Sequence, residues 1–225
     1  LHCSIELIAE KERTEQQIKF SLLVSQIDPH FICNTINSIN YLARRQRCDD
    51  VITVNTALMA ILRDRLRVND IEITDTVSEE MRVVEQYLKI QRFMYCGNLK
   101  IGWDVAPELL KAQIPKNMIQ PLVENALFHG LINQETGELD GEIRISLKKT
   151  AEGLLLTVCD NGAGMGPERL KELLRQNKPP EERGSRIGLS NIRGRLYYLY
   201  GTTDCLKIES APNQGTTITI LFRQD

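Results

Sequence analysis

The sequence predicts an α+β chain: an N-terminal helical hairpin followed by an α/β sandwich. Two observations carry this expectation. Apolar residues recur at helical spacing through the first half, and after Gly97 strand-like runs alternate with helical ones, several strands being adjacent in sequence. At roughly 150 residues per domain, 225 residues suit one or two domains, expected here at 1–95 and 96–225.

The elements follow in order. Ile18, Leu22 and Ser25 sit on a charged amphipathic segment that could end a longer coiled coil. Pro29 lacks a backbone donor and clashes with the preceding turn, so a kink is expected there. Phe31, Ile32, Ile36, Ile39 and Leu42 resume the helical pattern. Arg44 to Asp50 read as a polar turn, and Val51, Val54, Leu58, Ile61, Leu62 and Leu66 form the apolar face of the next helix. Such a hairpin buries little alone, so pairing with a second copy is expected. A third helix is predicted from about Ser78 to Tyr95, with Glu79 and Glu80 favouring its N-terminus.

Beyond Gly97, residues 99–105 alternate like a strand, 115–129 read as helix, and 142–147 and 154–159 as strands. Helices are predicted over 168–176 and 187–200, then strands over 206–210 and 216–222 around a turn at Gly215. Asn177 to Ser185, with Pro179, Pro180 and Gly184, read as a mobile loop.

Composition excludes several classes. The chain has 28 basic and 30 acidic residues, a formal charge of −2, without the basic excess of a dedicated nucleic-acid binder. No apolar run approaches the roughly 18 residues of a membrane span. Six cysteines contain no CxxC pair, so neither a zinc site nor a disulfide framework is indicated; reduced thiols of a cytosolic protein are expected. The chain begins at Leu1 without a signal peptide and reads as a fragment of something longer.

Four constellations carry chemistry. In Gln120-Pro121-Leu122-Val123-Glu124-Asn125-Ala126-Leu127-Phe128-His129-Gly130, helical geometry puts Asn125 and His129 on one face, and the Asn125 carbonyl is a hard ligand suited to magnesium. Glu124 beside it is a second candidate ligand for metal or water. In Asp160-Asn161-Gly162-Ala163-Gly164-Met165, a carboxylate at a strand end precedes paired glycines, where backbone can approach a ligand and Asp160 can accept a purine amine. In Gly184-Ser185-Arg186-Ile187-Gly188-Leu189-Ser190-Asn191, a glycine-bearing loop opens a helix whose free N–H groups suit a phosphate. Asn213-Gln214-Gly215-Thr216-Thr217 is a turn with hydroxyls near the last strand.

Each motif alone is weak; their order and spacing are specific. Together they resemble the N, G1, G2 and G3 boxes of the ATPase superfamily that unites gyrase B, heat-shock chaperones, histidine kinases and MutL. Upstream, Gln26-Ile27-Asp28-Pro29-His30-Phe31-Ile32-Cys33-Asn34-Thr35-Ile36-Asn37 resembles the Q-I-N-P-H-F-L-F-N-x-L-N signature of LytS/YesM-type sensor histidine kinases. The resemblance runs from about Leu22 to Leu221.

The resemblance implies a dimeric hairpin bearing His30 joined to an ATP-binding sandwich of the gyrase and histidine kinase type. ATP and Mg2+ are the implied cofactors. Autophosphorylation of His30 would be followed by transfer to an aspartate of a response regulator. Asn34, one helical turn beyond His30, can hydrogen-bond near the same imidazole; by the resemblance it would position water for dephosphorylating the partner, and Asp28 would orient the ring. Asn125, His129, Asp160, Gly162, Gly164, Gly184, Gly188, Leu189 and Thr216 would bind nucleotide, with Asn125 and Glu124 at the metal. The family also implies a membrane-anchored receptor of which this is the cytoplasmic region. Free imidazole, with a pKa of about 6.5, is largely neutral at pH 7 and offers a lone pair.

Three positions depart from the family pattern. Asp28 stands where Asn is usual, Phe128 where a Lys is common, and Arg186 where a Gly is common. These motivate an alternative, a catalytically silent dimeric scaffold or regulator phosphatase. A gyrase- or chaperone-type ATPase is a third reading, but the position of its water-activating Glu is held here by Pro121.

Overall fold

The computed structural model describes residues 29–65, 73–95, 97–133, 135–175 and 187–223. The segment before Pro29, Asp28, Leu66, and the loop carrying Gly184 and Arg186 lie outside them. The chain forms two compact units, dividing between Ile71 and Glu72.

The first unit is the expected hairpin, α1 (Pro29–Arg44) and α2 (Cys48–Arg65). Pro29 is already helical, and the kink expected there involves the segment before it, which lies outside the described residues. Helix α1 ends in a Schellman turn: Arg47 N donates to Leu42 O at 3.0 Å and Gln46 N to Ala43 O at 2.9 Å. Gln46 takes the left-handed φ of 59° that this turn demands. Asp49 and Asp50 then lie in the first turn of α2, where the helix dipole favours negative charge, and Arg47 pairs with Asp50. Thr35, Leu42, Val54, Ala57, Leu58 and Ile61 are buried. Thr35 meets its own polar need by donating to Phe31 O at 2.8 Å. Ile36, Tyr41, Ile52 and Met59 stay exposed. Ile52 and Met59, seven residues apart, share one side of α2.

The second unit is the α/β sandwich. Its elements are β1 (Thr74–Thr76), α3 (Val77–Met94), β2 (Gly97–Val105), a 3-10 turn (Pro107–Leu109), β3 (Gln113–Pro115) and α4 (Ile119–Asn125). A π-helical turn (Ala126–Leu131) leads to β4 (Leu139–Thr150), β5 (Gly153–Asp160), α5 (Pro167–Arg175), α6 (Ile187–Tyr200), β6 (Leu206–Ser210) and β7 (Thr216–Arg223). The main sheet has the order β2-β4-β5-β7-β6. Strands β2 and β4 are parallel and the other pairs antiparallel. Alternate residues of three neighbouring strands bury one face: Ile143, Ile145 and Leu147; Leu154, Leu156 and Val158; Ile218, Ile220 and Phe222. Register stacks these rows, Ile145 lying opposite Val158 and Val158 opposite Ile218. Helix α4 packs against α3, α6 and β5.

The structure departs from the sequence expectation in three places. Helix α3 starts earlier than Ser78: Thr76 is its N-cap, in a reciprocal capping box with Glu79. The stretch 115–129 is not one helix, because β3 takes its start and a π-helical turn its end. Helix α3 also sits within the second compact unit, whereas the sequence groups it with the helical half.

Glu80 has a role that helical position alone did not suggest. It is 7% exposed and serves another helix. Its carboxylate accepts from Asn117 N at 2.5 Å, Met118 N at 3.0 Å and Ile119 N at 3.1 Å, the orphan donors at the start of α4. Asn117 turns into this cap with φ of 61°. From the other side, Arg195 of α6 donates to Lys116 O and, at 3.3 Å, to Asn117 O. The strap before α4 is therefore held through both its donors and its acceptors. Replacing Glu80 with Ala leaves those donors buried without a partner. It should cost about 2–3 kcal/mol in urea unfolding; a loss under about 0.5 kcal/mol would show that the strap holds without it.

Candidate functional site

The site is built at one end of the sheet, where three irregular segments meet. The first is the π-helical turn, in which Ile132 N donates to Leu127 O, five residues back, at 2.9 Å. The second follows β5 and carries Asp160. The third is the turn between β6 and β7.

Asp160 is 6% exposed. Its Oδ1 accepts from Gly162 N at 2.9 Å and from Thr216 N at 3.2 Å, so one carboxylate oxygen ties the second segment to the third. Its Oδ2 has no hydrogen-bond partner among the described residues. Burial pushes the Asp160 carboxyl above the ordinary 3.8, and the two backbone donors oppose that rise. The segments also interlock through backbone: Ala163 N donates to Gly130 O at 2.9 Å, and Asn213 N to Ala163 O at 2.7 Å. Ser210 Oγ accepts from Met165 N at 2.8 Å and lies 2.9 Å from Thr216 Oγ1.

The glycines of this junction are required by space and by conformation. A methyl group on Gly162 would stand 2.1 Å from Gly130 O. Gly164 has φ of 63°, and a methyl there would stand 1.9 Å from Ala211 O. Gly130 was not singled out from the sequence, yet a methyl on it would reach Asp160 Oδ1 at 2.7 Å. Its only sequence signal is a glycine closing an amide-bearing helix. Asn161 was also missed as a link: its Oδ1 accepts from Glu142 N at 2.7 Å and anchors the segment to β4.

Asn125 ends α4, and its Nδ2 is buried with no hydrogen-bond partner among the described residues. The winding changes from α to π after Asn125, and His129, four residues on, is exposed. Glu124 is half-buried and accepts from Gln120 Nε2 at 2.8 Å. Phe128, 36% exposed, turns an edge to the Tyr95 ring, with centroids 6.2 Å apart. Gly188 lies in the first turn of α6 and Leu189 beside it is half-buried.

On the first unit, His30 is exposed in the first turn of α1. Asn34 Nδ2 lies 3.1 Å from its Nδ1 and 3.2 Å from its Nε2, beside both ring nitrogens. The four-residue spacing places the amide there, as expected from the sequence.

These residues fit a nucleotide with its metal. A buried acceptor with one oxygen fixed and one open suits an exocyclic amine, and glycine backbone allows close approach. Among the described residues no group of three or more His, Cys, Asp or Glu could hold a metal ion by itself. An amide with phosphate oxygens is the kind of donor set that magnesium accepts.

Comparison with known proteins agrees with this geometry. Residues 111–225 match the family of histidine kinase-, DNA gyrase B- and HSP90-like ATPases, and residues 18–99 match the histidine kinase family. The chain belongs to this ATPase family, in its sensor histidine kinase branch. It is 34% identical over 212 residues to the sensor histidine kinase YesM of Bacillus subtilis (strain 168), covering 94% of this chain and 34% of that protein. It is 33% identical over 214 residues to the sensor protein kinase HptS of Staphylococcus aureus (strain USA300), covering 95% of this chain and 40% of that protein. The chain thus spans between a third and two fifths of the length of these curated relatives. Among solved structures, a bacterial phosphotransferase shares the fold with a TM-score of 0.54 and 16% identity, covering 90% of this chain and 95% of that one. No helix among the described residues is long and apolar enough to cross a membrane.

The raised Asp160 carboxyl sets a pH dependence. Between the unfolded and folded values the native state binds more protons than the unfolded chain, so this group's contribution to stability falls as pH rises through that window. In urea unfolding, wild type should lose stability relative to Asp160→Asn as pH climbs from below 3.8 toward neutrality. A difference that is flat, or that grows the other way, would remove burial as the dominant influence on Asp160.

Proposed function

We propose that this chain is the catalytic region of a two-component sensor histidine kinase, in which ATP bound by the second unit phosphorylates His30. The observation that carries this reading is the His30 ring, exposed on α1 with the Asn34 amide beside both its nitrogens. A ring nitrogen attacks the γ-phosphorus, a P–N bond forms, the bond to the β–γ bridging oxygen breaks, and ADP leaves. The phosphoryl group then passes to an aspartate carboxylate of a response regulator, which restores the imidazole.

The residues divide the work. Asp160 Oδ2 accepts from the adenine amine while Oδ1 keeps the surrounding loops in place. Gly162 and Gly164 let backbone approach the nucleotide, and Thr216 holds Asp160 through its N–H. Asn125, with Glu124 behind it, would hold Mg2+, which neutralises phosphate charge during transfer when bound. Leu189 and Gly188, at the start of α6, would face the phosphates with Gly184. Asn34 orients the His30 ring and serves the reverse, hydrolytic reaction on the regulator; Asp28 is assigned to ring orientation. His129 lies at the nucleotide's periphery. Phe128 supplies no cation, so phosphate charge falls to the metal and to backbone donors. Ile36, Ile52 and Met59, exposed on the hairpin, suit a second copy of it, which supports a homodimer. The receptor is membrane-anchored through a region outside this chain.

Incubation with labelled ATP and magnesium should give an acid-labile, alkali-stable phosphoprotein. His30→Gln should reduce the label at least about 100-fold; undiminished labelling would move the phosphoacceptor elsewhere. By calorimetry, Asp160→Asn should weaken binding of a non-hydrolysable ATP analogue by about 2 kcal/mol, roughly 30-fold. Unchanged affinity would take Asp160 out of adenine recognition.

A further inference from the structure

Gln91 of α3 is 1% exposed, and among the described residues neither its Nε2 nor its Oε1 has a hydrogen-bond partner. An amide with no partner at all, deep in a helix interface, costs on the order of 1–3 kcal/mol or more. A second orphan lies on the helix packed against it: Asn125 Nδ2.

Two contacts fix how α3 and α4 run past each other. Near the start of both, Glu80 caps Met118 and Ile119. Past the end of both, the Tyr95 ring meets Phe128. The helices are therefore parallel. Gln91 lies four residues before Tyr95 and Asn125 three before Phe128, which places both roughly one helical turn, about 5 Å, below the aromatic contact. The two orphaned amides lie toward the same end of one helix interface, with complementary unmet needs: an acceptor on Gln91 and a donor on Asn125.

Resting on the proposed function, we infer that Gln91 is the positioning residue for Asn125. In the nucleotide-loaded protein its Oε1 accepts from Asn125 Nδ2, reached by side-chain rotation alone. That bond fixes which way the Asn125 amide is turned: nitrogen toward α3, carbonyl oxygen toward the metal. The requirement is a general one, since a ligand's outer partner sets its orientation and commonly contributes 10- to 100-fold to metal affinity.

The test uses this chain with Gln91→Leu and, as a second volume-matched variant, Gln91→Met. Affinity for a non-hydrolysable ATP analogue is measured with and without magnesium, and thermal unfolding is followed without nucleotide. The magnesium-dependent gain in affinity should fall about 10-fold or more in both variants, while metal-free affinity stays the same. Unfolding temperatures should hold or rise, because an unsatisfied buried amide has been replaced by an apolar group. A magnesium gain equal to wild type would overturn the inference, as would a marked loss of stability in both variants, which indicates a purely structural amide. If wild type itself binds no nucleotide, the functional reading fails and the inference falls with it.

Discussion

One carboxylate oxygen organises the catalytic half of this protein. Asp160 Oδ1 receives N–H groups from Gly162 and Thr216, residues 54 positions apart, and Gly130 packs against the same atom. Three segments that share no regular hydrogen-bond ladder are thereby held to a single point. The arrangement is possible because the carboxylate is buried and two of the three positions around it, Gly130 and Gly162, carry no side chain. Its consequence is chemical: with one oxygen committed to structure, the other is left as a fixed acceptor in a site of low polarity. A hydrogen bond to it is stronger than one made in water.

The second constraint is the placement of α4, which carries Asn125. A helix of seven residues has little stability of its own. Here its start is fixed by neighbours. Glu80 takes the free donors, Arg195 takes the carbonyls of the strap before it, and Leu122 and Val123 are fully buried. Helix α6 extends the same service to α5, since Arg193 donates to Leu173 O at 2.7 Å. Burial lowers the hold of the Arg193 guanidinium on its proton. Long polar side chains thus join helices that apolar packing alone would let slide. Each such group is satisfied by backbone, which is why it can be buried.

The hairpin is built differently. Its interior is small, its turn is closed by a Schellman motif, and several large apolar side chains remain outside. The polar chemistry lies at its surface, where the exposed His30 imidazole has the Asn34 amide beside both its nitrogens. The proposed phosphoacceptor needs that exposure, whereas the proposed nucleotide site needs burial.

Much of this was legible in the sequence. Helices α1, α2 and α6 and strands β5, β6 and β7 fall within a few residues of their expected positions, because period-3.6 and period-2 apolar patterns are local properties of the chain. The Asn34–His30 pairing is equally local, four residues on one helix. Family membership was legible because glycines, an amide and a carboxylate recur in fixed order, and each has a backbone or ligand reason to be there. What only the tertiary structure decided is non-local. Thr76, rather than Ser78, caps α3 because β1 pairs with β3 and delivers the chain in an extended conformation at that residue. Glu80 belongs to a helix 37 residues further on, and no pattern within α3 distinguishes it from Glu79. The π winding after Asn125 replaces the α-helix that the local pattern carries on to His129. Gly130 gains its importance from a carboxylate 30 positions away. Periodicity reports what each segment must bury, whereas contacts between segments depend on where the whole sheet brings their ends.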